Sequence, residues 1–177
     1  MRVPVPTALL VAAAVAAPIP LAHSADVQVV GTVAPGVLSI GKIPHRLAVP
    51  KLVPDHLGRR RAVVRLPITV TDARGTGAGW ALTLSARLRT AKGRHVRGAV
   101  TSLWGMTSRC TSCTQPRSRV VMPLMLTERH GIRAFVAARG SGMGRIALVA
   151  TIAVAVPKRA AAGGYVLLPT LTRVSGP

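Results

Sequence analysis

Side chains able to carry acid–base, nucleophilic or metal chemistry are few in this chain, and their spacing assembles none of the familiar sites. The carboxylates are Asp26, Asp55, Asp72 and Glu128, against 24 Lys and Arg. General acid and base work needs paired groups with pKa values tuned near the working pH, whereas surrounding cations favour the ionised form of every acid here. Asp72 also has a local task, because an aspartate ahead of a glycine-rich stretch bonds its own backbone in a turn. His45, His56, His95 and His130 are spread among basic loops without H-E-x-x-H or triad spacing, so solvated loop histidines are expected. These residues predict no enzyme, no cofactor and no metal.

Cys110 and Cys113 are the only cysteines. Their C-x-x-C spacing fits a local disulfide, half a zinc site or a redox pair. Zinc requires two further ligands, and no second C-x-x-C exists; a redox pair belongs ahead of a helix in a βαβ unit, a context absent here. In an exported chain a disulfide is favoured, tightening a polar loop over 107–117 ahead of Pro116. Closing so short a loop stabilises little, since the entropy gained grows with loop length.

The elements that must position these residues are strands. Val64, Leu66, Ile68 and Val70 alternate with polar or small residues, and Trp80, Leu82 and Leu84 do the same, a period of two that buries one face of each segment. Between them Asp72 starts a turn and Gly75, Gly77 and Gly79 permit positive φ, in a connection too long for a two-residue hairpin. Trp80 is expected in the core on the Leu82 face. Further extended segments are read at 37–40, 99–106, 118–126, 132–138, 145–157 and 165–174, with Ile146, Leu148, Ile152, Val154 and Val156 sharing one buried face. Pro169 removes a ladder donor, which an edge strand tolerates best. With 17 Gly, 14 Pro and four aromatics, Trp80, Trp104, Phe135 and Tyr165, the chain predicts an all-β fold with an aliphatic core. That fold is a single antiparallel β-sandwich or barrel-like domain of about eight strands. Residues 25–62 are read as an edge strand and proline-rich connection, and 63–177 as the main domain.

Residues 1–24 have the layout of a secretion signal: Arg2, an apolar run from Ala8 to Ala17, and small residues up to a cleavage point between Ser24 and Ala25. Pro4, Pro6, Pro18 and Pro20 confine the apolar run to less than the roughly 20 residues that span a bilayer, so no transmembrane anchor is expected. The net charge of +20 attracts polyanions, and outside the cell these are anionic wall polymers, lipid headgroups or shed nucleic acid. The basic residues are scattered, Arg59-Arg60-Arg61 being the one tight run. Specific nucleic-acid binding is not expected, because aromatics for stacking are not interleaved with them. Sugar recognition meets the same objection, with Trp104 as the exposed candidate.

The segment Ile68 to Leu84, with Trp80-Ala81-Leu82 as a literal W-x-L, resembles the WxL domain of bacterial surface proteins. Gly142-Met-Gly144, the run ending Val154-Ala-Val156-Pro157, Ala162-Gly-Gly164-Tyr165 and Ser175-Gly-Pro177 resemble that family's last two strands, and Cys110 and Cys113 with Pro116 match a cysteine pair its members often carry. The last strand departs from the pattern: Pro169 and Arg173 stand where threonines and aliphatics are usual, and a second tryptophan motif is missing. Arg65, Arg87, Arg89 and Arg133 also replace neutral polar residues on strand faces. The resemblance implies an all-β domain and non-covalent attachment to peptidoglycan or an anionic wall polymer at the cell surface. An alternative expectation is an extracellular assembly or adhesion subunit that pairs with other surface proteins through an edge strand.

Overall fold

The computed structural model describes residues 36–116 and 118–176. The expected signal segment, its cleavage point at Ser24 and Ala25, and Asp26 lie outside the described residues.

The fold is an all-β sandwich of two antiparallel sheets. Its strands are β1 (Leu38–Ile40), β2 (Leu47–Ala48), β3 (Val53–Pro54), β4 (Arg60–Asp72), β5 (Trp80–Thr90), β6 (Val100–Cys113), β7 (Leu124–Leu126), β8 (Ile132–Ala137), β9 (Gly144–Val156) and β10 (Tyr165–Ser175). One sheet runs β1-β4-β9-β6-β7, with β3 also on β4; the other runs β2-β10-β5-β8. The long strands explain the architecture. β9 pairs along its whole length with β4, from Arg60↔Val156 to Asp72↔Gly144, and its other side carries β6.

The period of two is fully expressed in burial. Val64, Leu66, Ile68 and Val70 of β4 face Trp80, Leu82, Leu84 and Leu88 of β5 in one core cluster, joined by Ile146, Leu148, Ile152, Val154 and Val156 of β9. Three of the four aromatics are buried in it, Trp80, Phe135 and Tyr165, while Trp104 is 48% exposed.

Several local expectations are corrected. β4 and β5 do not pair: they belong to opposite sheets, and residues 73–79 cross between the layers. The segment 107–113 is strand, because β6 continues along β9 as far as Cys113↔Gly144. The expected strand 118–126 shrinks to β7, and the two-residue strands β2 and β3 arise inside the proline-rich connection. Short apolar pieces such as Leu47 and Val53 carry no period of their own, and only the neighbouring sheet gives them partners.

Open sheet edges are blunted. Thr69 accepts a hydrogen bond from the Gly41 amide on the side of β4 away from β9, and backbone groups alternate sides along a strand. Pro67, two residues back, therefore turns its missing donor toward that open edge. The same alternation from the Tyr165 carbonyl, which accepts from the Val49 amide, places Pro169 on the outer side of β10 beyond its short pairing with β2. On β6 the register shifts between Leu103 and Gly105 and again between Cys110 and Ser112. Prolines and bulges of this kind oppose edge-to-edge pairing.

Candidate functional site

The two ends of the sandwich are chemically unlike. One gathers the residues singled out from the sequence, and the other brings basic residues of three loops together around a set of clefts.

At the first end, β4 delivers Asp72 and β5 begins with Trp80. Gly75, Gly77 and Gly79 in the crossing between them all take positive φ, at 71°, 61° and 76°, the left-handed region that side-chain-bearing residues resist. Asp72 is 3% exposed. Arg74 donates to it from Nε and Nη2, both at 2.9 Å, and from its amide at 3.2 Å, while Nη2 also donates to the Gly79 carbonyl at 2.8 Å. The expected turn bond of Asp72 is thus present, reinforced by a forked ion pair. Trp80 is 1% exposed and stacks on Phe135 with ring centroids 5.5 Å apart. Its indole N–H donates to the Gly142 carbonyl at 2.9 Å. Leu82 is fully buried two residues on. The W-x-L pair is therefore a core element, as the alternation predicted, and meets no solvent.

Cys110 and Cys113 form a disulfide with their Cα atoms 5.4 Å apart. An extended strand would separate residues three apart by about 10 Å, so it is the bulge between Cys110 and Ser112 that brings them together. The bond closes the end of a strand and not the loop expected from sequence. Thr114, just beyond, exchanges backbone hydrogen bonds with Met143 and Gly142, and the Gly140 amide donates to Gly77. Asp72, Trp80 and the two cysteines thus each have a structural partner that explains their type.

The hydrogen bonds from Arg74 hold the Asp72 carboxyl below its usual pKa, outweighing the burial that pushes it up. A carboxyl lowered in the folded state stabilises the fold above its unfolded pKa, about 4, and that stabilisation is lost as pH falls through the lower folded value. Asp72→Asn is expected to cost about 1–3 kcal/mol at pH 7 and to shrink the difference from the parent as pH drops toward 2. Urea unfolding at pH 7 and pH 2.5 measures this, and an equal cost at both would show that charge is not the source.

The opposite end is built from the segment 49–61, the β5–β6 turn over 91–99 and the β9–β10 loop over 157–164. Its acids are already engaged. Asp55 lies 2.5 Å from Arg61 and accepts from the amides of Leu57 and Arg59; desolvation pushes its pKa up, but those amides and the charges of Arg61 and His56 bring it below the usual value. Glu128 pairs with Arg89 and His95, both at 3.3 Å. Arg60 donates to the Ala160 carbonyl at 2.7 Å and so ties β4 to the β9–β10 loop.

Around that loop lie three adjoining clefts. One of about 320 Å³ is lined by Arg97, Arg159, His95 and Tyr165. A second of about 270 Å³ holds Lys51 and Arg60 against Gly163 and Gly164, and a third of about 270 Å³ holds Lys92 and Arg94 against the same glycines. Lys51, Lys92, Arg94, Arg97 and Arg159 are exposed. Sequence reading found only the Arg59 to Arg61 run here. The usable signal was that each turn at this end, Lys92 to Arg97 and Lys158-Arg159, carries basic residues, which antiparallel strands of similar length then stack at one pole. Among the described residues, no group of three or more His, Cys, Asp or Glu stands close enough to hold a metal ion.

Comparison of the chain with protein-family models, with curated proteins and with solved structures gave no match.

Proposed function

We propose that this chain is a secreted protein that attaches non-covalently to the bacterial cell wall by holding anionic wall polymers at the cationic pole of its β-sandwich. The observation that carries the reading is a local convergence of charge: exposed Lys and Arg from three separate loops meet around adjoining clefts at one end, where Asp55 and Glu128 are already paired with Arg61 and Arg89. A rigid surface of one sign focuses the field and raises the local concentration of a polyanion. The leader-like residues 1–24 and the disulfide Cys110–Cys113 support an oxidising destination, and the W-x-L resemblance supports the wall as that destination. Trp80 serves the core in this reading and touches no ligand. Pairing with other surface proteins by strand addition is the less favoured reading, since Pro67, Pro169 and the bulges of β6 blunt the edges it needs.

The test is retention of the chain from Ala25 onward on purified sacculi, intact and stripped of anionic polymers, across a salt series. Binding to intact sacculi is expected to fall by at least about tenfold between roughly 0.05 and 0.5 M salt, as screening shortens the reach of each charge, and to vanish on stripping. Retention in high salt on stripped sacculi would move the attachment to uncharged wall components, and no binding to either preparation would remove the wall from the reading.

A further inference from the structure

We infer that the three clefts around residues 157–164 form one continuous site for a linear, flexible polyol-phosphate polymer, whose successive phosphates sit between the basic pairs Arg97 and Arg159, Lys51 and Arg60, and Lys92 and Arg94. The inference rests on the proposed wall attachment for its biological setting and assigns that attachment a ligand class and a place.

Continuity follows from shared walls. Tyr165 lines the first and second clefts, Gly163 and Gly164 the second and third, and Thr90 the first and third. The polymer would curl round the crest of one loop, and Gly163 and Gly164 leave that crest without side chains, so that a chain of phosphates can approach the backbone closely. The clefts are shallow and five of the six cations are exposed. A single exposed ion pair is worth little, so a free phosphate is held weakly at any one of them. Linking phosphates makes the second and third contacts intramolecular and multiplies the affinity without new chemistry.

The walls also select among polyanions. Single-stranded nucleic acid is held by aromatic faces on which bases stack. Tyr165 is the one Phe, Trp or Tyr among the residues lining these three clefts; it is buried and its hydroxyl donates to the Ala161 carbonyl, and the other ring there, His95, is paired with Glu128. Trp104 lies on β6, outside all three clefts. A polymer without bases loses nothing by their absence.

The experiment is calorimetric titration of the chain with a synthetic glycerol-phosphate oligomer, with inorganic phosphate, and with a single-stranded oligodeoxynucleotide of equal charge. Two variants of equal net charge are compared: Lys51→Gln/Lys92→Gln/Arg94→Gln/Arg97→Gln/Arg159→Gln at the clefts, and Arg65→Gln/Arg87→Gln/Arg133→Gln/Arg139→Gln/Arg173→Gln elsewhere on the exposed surface. The cleft variant is expected to lose at least about 50-fold in affinity for the oligomer and to flatten its salt dependence, while the surface variant loses less than about fivefold. Inorganic phosphate should bind too weakly to measure, and the oligodeoxynucleotide more weakly than the oligomer. Equal losses in the two variants would overturn the site while leaving diffuse charge-driven wall binding intact. Tighter binding of the oligodeoxynucleotide would replace the polymer class, and a parent chain that ignores the oligomer would overturn the site outright, with the sacculus retention deciding separately whether wall binding stands. Circular dichroism checks the fold of each variant. Should the cleft variant not fold, Lys92→Glu/Arg159→Glu, confined to exposed loop positions, is compared with Arg65→Glu/Arg133→Glu, which removes the same charge away from the clefts.

Discussion

Trp80→Ala is expected to remove about 3–5 kcal/mol of stability, a large part of the roughly 5–15 kcal/mol a domain commonly has. The indole is the largest fully buried side chain of the core, it stacks on Phe135, and its N–H satisfies the Gly142 carbonyl. Alanine leaves a cavity between the sheets and an orphaned acceptor. Trp80→Phe keeps a ring against Phe135 and loses the hydrogen bond with part of the volume, so its cost should be smaller, about 1–3 kcal/mol. Urea denaturation of the three proteins orders them. A Trp80→Ala loss below about 1 kcal/mol would contradict the role of this side chain as a core anchor.

Gly142→Ala is expected to be nearly as damaging through the opposite fault. A Cβ there would stand 2.6 Å from the Ala137 Cβ and 2.9 Å from Trp80 Nε1, on a backbone with φ of 74°. The left-handed conformation alone costs a side chain about 1–2 kcal/mol, and overpacking adds about 1–3 kcal/mol. Gly75→Ala separates the two contributions, because its φ is 71° and nothing lies within 4 Å of the added carbon; it should lose the conformational part alone. Equal unfolding midpoints for the two variants would mean that the crowding at Gly142 relaxes freely.

These two residues also show how far the sequence reached. Trp80 was legible as core because alternation with Leu82 and Leu84 is a local property, and the long strands β4, β5, β9 and β10 were legible for the same reason. The partner of its N–H was not, since Gly142 is 62 residues away and only sheet packing brings the two together. Likewise nothing local tells Asp72 and Trp80 apart as members of different sheets: a glycine-rich connection serves a crossing between layers as well as a long hairpin. The strand extension to Cys113 was hidden by polar residues, for Thr107 to Cys113 reads as a loop until β9 supplies a ladder for it. The cationic pole was hidden for a third reason. Its six residues come from segments up to 108 positions apart, from Lys51 to Arg159, and become neighbours only through the shared length of the strands between them.

Strand direction has a practical corollary. β10 starts at Tyr165 beside the clefts and runs away from them to Ser175, opposite Trp80; β1 enters opposite Asp72. The Gly36 and Gly176 amides both donate into the β4–β5 crossing, at Ala73 and Gly79. The folded domain's way in and way out are thus on one side, and the clefts lie at the far end of strands of 11 to 14 residues, about 40 Å off. A biotin or affinity handle fused beyond Gly176 would therefore tether the molecule by its back and leave the clefts facing the analyte, which makes surface-immobilised binding measurements possible without blocking the site under test.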